Sequence, residues 1–166
     1  MTLDALNVLN RRSFTGSLGW VFEHSPWVAE RAWAGRPFSD LRALHRAMVL
    51  EVERAAPEEQ LKLLRAHPNL GARERLSQAS ASEQAGAGLD GLTREELDLF
   101  TEWNDSYRRK FGFPFLFAVK GSTRRDVLTA LERRLSLSRD EEYAEALRQV
   151  YQIAEFRLNE YLIEES

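Results

Sequence analysis

Residues 138–158 read SRDEEYAEALRQVYQIAEFRL, and this stretch decides the fold class. Ser138, followed three residues later by Glu141, forms the capping-box pattern that opens an α-helix. Beyond this pair, apolar residues recur at the spacing of a buried helical stripe. They are Ala146, Val150, Ile153, Ala154 and Leu158. The stretch therefore predicts one long helix near the end of the chain.

The helical period extends through the rest of the sequence. A second capping box, Thr93 with Glu96, opens a predicted helix that turns Leu97, Phe100 and Tyr107 towards a core. Another helix is predicted from the recurrence of Leu41, Leu44, Met48, Val49 and Val52, with Ser39 as its N-cap and Pro57 beyond its end. Shorter helices are predicted over residues 2–10, 26–34, 57–65, 72–86 and 123–135. We predict an all-α fold, a single compact bundle-like domain of about eight helices over residues 1–166, without significant sheet.

Composition excludes several classes of protein. Hydrophobic residues make up 43% and charged residues 30%, which is ordinary for a globular domain. The net charge of −3 offers no basic face, so no nucleic-acid partner is expected. The absence of cysteine excludes disulfides and thiolate nucleophiles. No apolar run is long enough for a bilayer, and the first residues lack the order of a secretory signal, so we expect a cytoplasmic protein with no membrane partner.

Two stretches interrupt the helical pattern. In Ala66–Gly71 (AHPNLG), Pro68 disfavours helical backbone at His67. In residues 111–119 (FGFPFLFAV), every residue is apolar, glycine or proline, and Pro114 stops a helix. Binding groups are often carried on such connecting segments.

Three histidines are candidates for chemistry, and none has the spacing of a metal-ligand motif, so no metal site is predicted. His45, beside Leu44 on an amphipathic helix, is interpreted as a packing or surface residue, and His24 has no predicted partner. His67 is the preferred candidate, because Pro68 holds its backbone direction. An imidazole with a pKa of about 6.5 both donates and accepts protons near neutrality.

Three further features each allow two interpretations. In residues 80–84 (SASEQ), Ser80 and Glu83 form a capping pair, which the pattern alone favours, or Glu83 faces a cavity and orients a ligand or the histidine. The side chains of the 111–119 run read as core, yet its extended backbone needs hydrogen-bond partners, which a flat amide-rich heterocycle would supply. Arg157 either grips a carboxylate in two-pronged fashion or forms a surface ion pair with Glu155 or Glu160.

Four blocks of sequence carry a resemblance to a known family. They are AHPNLG at 66–71, SASEQ at 80–84 with its glycine-rich turn, NDSYRRKFGFPF at 104–115 and IAEFRL at 153–158. In this order and spacing, the chain resembles the OHCU (2-oxo-4-hydroxy-4-carboxy-5-ureidoimidazoline) decarboxylase family from the first helix nearly to the C-terminus. Two positions depart from the family, which most often has Asp and Ala where this chain has Asn69 and Gly71. Loss of that carboxylate would alter the orientation or pKa of His67.

The resemblance implies an all-helical homodimer that decarboxylates OHCU to (S)-allantoin in urate degradation without metal or organic cofactor. It implies that His67 is the main catalytic residue, acting as general acid/base, and that Glu83 assists it. The implied substrate-binding residues are Pro68, Ser80, Ala81, Ser82, Glu83, Gln84, Phe115, Leu116, Phe117, Ala118, Val119 and Arg157.

Two other functions remain open on the sequence. One is an enzyme of the same fold that acts on another ureide, which a substrate panel would reveal. The other is a helical binding module without chemistry, which predicts that His67 and Glu83 lie far apart on the surface. The position of these two side chains in the fold therefore separates an enzyme from a binding module.

Overall fold

A computed structural model describes residues 1–71 and 77–163, and every regular element in these ranges is helical. The elements are α1 (Leu3–Asn7), α2 (Arg11–Leu18), α3 (Trp27–Ala32), a 3-10 turn (Trp33–Gly35), α4 (Leu41–Arg54), α5 (Pro57–Arg65), α6 (Gln78–Gly86), α7 (Arg94–Phe111), α8 (Arg124–Arg134) and α9 (Arg139–Tyr161). The predicted all-α fold is confirmed for these residues.

Both predicted capping boxes are present. The Thr93 hydroxyl accepts the Glu96 backbone N–H at 3.1 Å, and the Glu96 carboxylate accepts the Thr93 N–H at 3.1 Å, which starts α7. At the start of α9, the Ser138 hydroxyl accepts the Glu141 N–H at 3.2 Å. Each pair satisfies N–H groups that the first turn of a helix leaves without intrahelical partners.

Three predicted helix boundaries differ from the structure. Asp40, rather than Ser39, caps α4, because its carboxylate accepts the Ala43 N–H at 2.7 Å. The helix predicted over 2–10 ends at Asn7, because the Asn10 side chain accepts the Ser13 N–H at 2.8 Å and starts α2. Asn and Asp take such capping positions because a short side chain reaches the backbone of the next turn. The helix predicted over 72–86 begins at Gln78 in the structure, and residues 72–76 lie outside the described part of the chain.

The chain divides into two compact units. The first contains residues 1–66 together with those from 151 onward, and in it α3 packs against both α2 and α4. The second contains residues 67–150, and in it α7 packs against α8. No helix among the described residues combines the length and apolarity needed to cross a membrane.

A buried charge network lies in the second unit. Arg134, 1% exposed, donates from Nε to the Glu142 carboxylate at 2.7 Å, and Glu142 has no exposed surface. The Tyr107 hydroxyl donates to the same carboxylate oxygen at 2.5 Å. Burial, reinforced by the adjacent carboxylate, raises the pKa of Tyr107 well above its usual value. The guanidinium also donates to the Leu116 carbonyl, so the network attaches the irregular segment after α7 to α8 and α9.

The Tyr107 hydroxyl is expected to stabilise the fold. Tyr107→Phe keeps the ring against Phe111 and Phe115 but removes the donor to Glu142, so we expect a loss of about 1.5–3 kcal/mol in unfolding free energy. The raised pKa means that folding favours the protonated phenol. Wild-type stability should therefore fall as the pH rises above about 10, the unfolded pKa of tyrosine, and this component should be absent from the variant.

Urea denaturation at neutral and alkaline pH measures both effects. Tyr161→Phe is the matched control, since its ring packs edge-on against Trp20, and a change within about 0.5 kcal/mol is expected. Equal stability of Tyr107→Phe and wild type at neutral pH would show that the hydroxyl adds nothing to the network.

Candidate active site

His67 lies immediately after α5, in a turn that also contains Pro68. The helix ends at Arg65, and Ala66 caps it through backbone hydrogen bonds. His67 is buried, with 7% of its surface exposed. A histidine placed beyond a helix end, ahead of a proline and away from bulk water, is held in a restricted backbone conformation. The predicted departure from helical backbone at this position is confirmed.

Side chains from α6 and α7 form hydrogen bonds with the rest of the turn. The Gly71 N–H donates to the Gln84 side-chain oxygen on α6 at 3.1 Å. The Asn104 side-chain amide on α7 donates to the Leu70 carbonyl at 2.9 Å, in a buried position. The 66–71 turn is therefore hydrogen-bonded to the helix that carries Glu83, although no backbone pairing links the two segments.

Helix α6 presents part of the predicted 80–84 segment on one face. Ser80 and Gln84 are buried and Glu83 is half-buried, whereas Ala81 and Ser82 are exposed. Because Ser80, Glu83 and Gln84 are spaced by three and four residues, they lie on a common side of the helix. The alternative that Ser80 and Glu83 cap the helix is wrong, because Ser77 is the N-cap and accepts the Ser80 N–H at 3.1 Å.

A small cavity of about 60 Å³ lies between the turn and α7. Its lining residues are Asn69, Leu70, Gly71, Phe100, Thr101, Asn104 and Asp105. The Asn104 side-chain oxygen is buried and has no hydrogen-bond partner within the described ranges. A polar cavity of this size has room for one or two ordered water molecules, which would satisfy that oxygen.

The segment 113–119 is irregular and buried, as its sequence predicts. Phe113, Phe115 and Leu116 are almost completely buried, so the interpretation of these side chains as core is confirmed. The protein itself supplies two of the predicted backbone partners. The Ala118 N–H donates to the Gln149 side chain at 2.8 Å, and the Leu116 carbonyl accepts from Arg134. Sequence reasoning missed Arg134 and Gln149 as the residues that hold this segment.

Arg157 lies in the first unit, whereas His67 and Glu83 lie in the second. The Arg157 guanidinium is 2% exposed and pairs with the Glu23 carboxylate at 2.8 Å. It also donates to the carbonyls of Trp20 and Val21 at 3.1 and 3.4 Å. The burial rules out the alternative of a solvated surface residue. Glu23 was not anticipated, because it lies in an irregular connection with no helical period.

The other two histidines have different environments. His45 is half-buried, and its Nε2 donates to the Tyr151 carbonyl at 2.8 Å, which agrees with its interpretation as a packing or surface residue. His24 is exposed and lies 3.6 Å from the Glu23 carboxylate. Among residues 1–71 and 77–163, no three His, Asp or Glu side chains cluster as metal ligands would.

The described residues thus define an all-α protein with a candidate acid–base site, in which a proline-directed histidine lies on a turn tied to a carboxylate-bearing helix. The sequence profile described as OHCU decarboxylase matches residues 7–159. The chain belongs to the OHCU decarboxylase family.

Individual relatives agree with this placement. The chain is 48% identical to the 2-oxo-4-hydroxy-4-carboxy-5-ureidoimidazoline decarboxylase of Haloferax volcanii, over 96% of this chain and 95% of that protein. It is 45% identical to a uric acid degradation bifunctional protein of Bacillus subtilis, over 98% of this chain but 33% of that longer protein.

Two solved structures are similar to this one. A crystal structure of (S)-allantoin synthase superposes with a TM-score of 0.78 at 31% identity, over 98% of this chain and 54% of that chain. The chain thus spans about half the length of that protein. An OHCU decarboxylase crystallised in the presence of (S)-allantoin superposes with a TM-score of 0.67 at 25% identity, over 81% of this chain and 89% of that one.

In this structure, the backbone of the turn that carries His67 favours glycine over alanine at position 71, although the family most often has Ala there. Gly71 has φ +73°, and a Cβ there would lie 3.0 Å from the Leu92 side chain and 3.4 Å from Phe100. Gly71→Ala should therefore lose about 1–2 kcal/mol from backbone strain, and a further amount from this contact. Thermal or urea denaturation measures the loss.

Two control variants separate the causes. Gly121 has φ +79° and no atom near the position of a Cβ, so Gly121→Ala loses stability through backbone strain alone. Gly86 has neither a positive φ nor a close neighbour, so Gly86→Ala should leave the stability unchanged or raise it. A Gly71→Ala chain that is no less stable than Gly121→Ala would refute the contribution of the contact.

Proposed function

We propose that this chain catalyses the decarboxylation of OHCU to (S)-allantoin, a step of urate degradation, with His67 as general acid/base. The observation that carries the proposal is the similarity to the Haloferax volcanii decarboxylase, which extends over almost the whole of both proteins. The buried position of His67 on a turn tied to α6 supports the choice of catalytic residue.

The substrate explains how the reaction proceeds without an organic cofactor. Its carboxylate is attached to a ring carbon that also carries a hydroxyl and lies beside a C=N bond. When the bond to CO2 breaks, the electron pair forms a C=C bond and the former C=N nitrogen takes a proton. The carbon bearing the ureido group then takes a proton, and the hydroxyl loses one to become the ring carbonyl. The net reaction consumes one proton and releases CO2, with the substrate itself serving as electron sink.

Three tasks remain for the protein, and the predicted residues divide them. We assign to His67, assisted by Glu83, the transfer of the hydroxyl and ring protons. We assign to Arg157 a two-pronged grip on the substrate carboxylate, which holds it out of the ring plane. The remaining predicted residues, Pro68, 80–84 and the backbone of 115–119, would line the site and orient the ring and ureide.

Gln84 and the 115–119 backbone carry structural contacts besides this proposed role. Gln84 uses its side-chain oxygen for the Gly71 N–H, and the Leu116 carbonyl and Ala118 N–H have partners on α8 and α9. These contacts support a site whose walls are fixed before the substrate arrives, which lowers the entropic cost of binding.

Replacement of His67 is the direct test of its role. His67→Asn should reduce kcat/KM by at least about 100-fold, the lower range for general acid–base catalysis, or about 3 kcal/mol in transition-state stabilisation. The assay uses freshly generated OHCU and follows circular dichroism during turnover. Because the substrate also decays spontaneously to racemic allantoin, a signal of a single sign reports the enzyme.

His45→Asn is the matched control, since His45 contacts the Tyr151 carbonyl and has no place in the proposed chemistry. We expect its turnover to stay within about threefold of wild type. A folded His67→Asn chain that retains more than a tenth of wild-type turnover would remove His67 from the catalytic role. Faster turnover of another ureide than of OHCU would change the substrate assignment.

We further infer that the chain forms a homodimer, as the family resemblance implies, and that it is cytoplasmic, as the sequence pattern led us to expect. Light scattering on the purified chain should give twice the 19.1 kDa chain mass at micromolar concentration. A single-chain mass across the concentrations used in the activity assay would contradict the dimer while leaving the proposed reaction intact.

A further inference from the structure

The connection between α2 and α3 surrounds one guanidinium group. The carbonyls of Trp20 and Val21 accept from Arg157 Nη1, and the Glu23 carboxylate accepts from Nη2 at 2.8 Å. We call residues 20–23 the guanidinium socket. One short segment thus presents three acceptors to a single side chain of α9.

The pair in this socket is buried on both sides. Arg157 and Glu23 are each 2% exposed. Removing two charges from water costs nearly as much as their attraction returns, so a buried pair stabilises a fold little more than apolar residues of the same size would. Stability alone is therefore a weak reason for these two residue types at this place.

The backbone of the socket is held in a defined conformation. The Ser25 N–H donates to the Phe22 carbonyl at 3.0 Å, and the Ser25 hydroxyl donates to the Glu23 carbonyl at 2.9 Å. Between Glu23 and Ser25 lies His24, whose φ of +46° is in the left-handed region that non-glycine residues seldom adopt. Such conformations persist where the surroundings enforce them, and they are frequent near functional sites. The carboxylate of Glu23 therefore meets Arg157 from a fixed direction.

We propose that Glu23 is the positioning residue for Arg157, holding its guanidinium in the orientation in which it binds the substrate carboxylate. This inference rests on the proposed function, in which Arg157 binds that carboxylate. A planar guanidinium recognises a carboxylate only in the right orientation, and its other contacts determine this orientation. Glu23 acts through Arg157 and does not itself touch the substrate.

The chemistry of substrate and product makes the role measurable. OHCU has the carboxylate, and (S)-allantoin has lost it as CO2. A disturbed Arg157 should therefore weaken the binding of OHCU but leave that of (S)-allantoin almost unchanged. General damage to the fold would weaken both.

The first experiment compares Glu23→Gln, Glu23→Asp and wild type in the chiral OHCU assay, with (S)-allantoin binding followed by calorimetry. Glu23→Gln should raise KM for OHCU by about 10- to 100-fold. This is the loss of affinity found at metal sites when a residue that orients a ligating side chain is removed, and Glu23 orients Arg157 in the same manner. Glu23→Asp, which keeps the charge, should recover part of this loss. The dissociation constant of (S)-allantoin should change by less than about threefold in both variants.

Glu59→Gln is the matched control within the same unit. Glu59 pairs with Arg31 at 2.6 Å, but this pair is exposed, and its loss should leave KM unchanged. A Glu23→Gln chain that folds and keeps the wild-type KM for OHCU would overturn the positioning role.

Chemical rescue decides the case in which Glu23→Gln does not fold. Arg157→Ala leaves a space bordered by Glu23, and added guanidinium ion should restore part of the OHCU turnover. The same rescue in Arg157→Ala/Glu23→Leu, which buries no unpaired charge, should require at least about tenfold more guanidinium, because the carboxylate that binds the ion is missing. Equal rescue in the two backgrounds would overturn the inference.

The outcomes also separate this inference from the proposed function. If the wild-type chain fails to turn over OHCU, the proposed function fails, whatever the Glu23 variants do. If wild type is active and Arg157→Lys keeps the wild-type KM, Arg157 does not bind the carboxylate and the role of Glu23 fails with it.

Discussion

The ion pair between Arg134 and Glu142 is the interaction on which the second unit depends. Both side chains are removed from water, so the loss of either would leave the other as an uncompensated buried charge, at a cost of about 3–5 kcal/mol. The same carboxylate receives the Tyr107 hydroxyl from α7, and the same guanidinium holds the Leu116 carbonyl. Three helices and the irregular segment after α7 thus meet at a single pair of charges.

The two irregular segments of the candidate site are both held by hydrogen bonds to helix side chains. Neither the 66–71 turn nor the 113–119 segment pairs with a strand, so their backbone groups need other partners. Helix side chains provide them: Gln84 and Asn104 for the turn, and Arg134 and Gln149 for the longer segment. A non-helical backbone can therefore be buried within an all-α fold.

Local sequence predicted those parts of the fold that local interactions decide. Thr93 and Ser138 start helices through partners three residues away, so both starts could be identified. The choice between Ser39 and Asp40 as a cap depends on one residue of register, which the pattern did not determine. The break between α1 and α2 depends on Asn10, a polar residue that also fits within a helix.

The residues of the candidate site also divide into those that local sequence identifies and those that it does not. His67 was identifiable because Pro68 restricts its backbone, a property of two adjacent residues. Arg134 was identifiable in principle, since it continues the buried stripe formed by Val127 and Leu131 at helical spacing. Glu23 has no such signal, because only the folded connection brings it to Arg157, more than a hundred positions along the chain. Interactions between remote segments are what a single sequence does not contain.

Helix α9 supplies a charged side chain to each of the two buried pairs, Glu142 to one and Arg157 to the other. Fifteen helical positions separate them, and each position turns the helix by about 100°. Glu142 shares its part of the helix with the buried Ala146 and Val150, so one residue inserted between positions 142 and 146 would turn the carboxylate by about 100° relative to that buried stripe. The spacing along this part of the helix is therefore constrained more tightly than the side chains at its exposed positions.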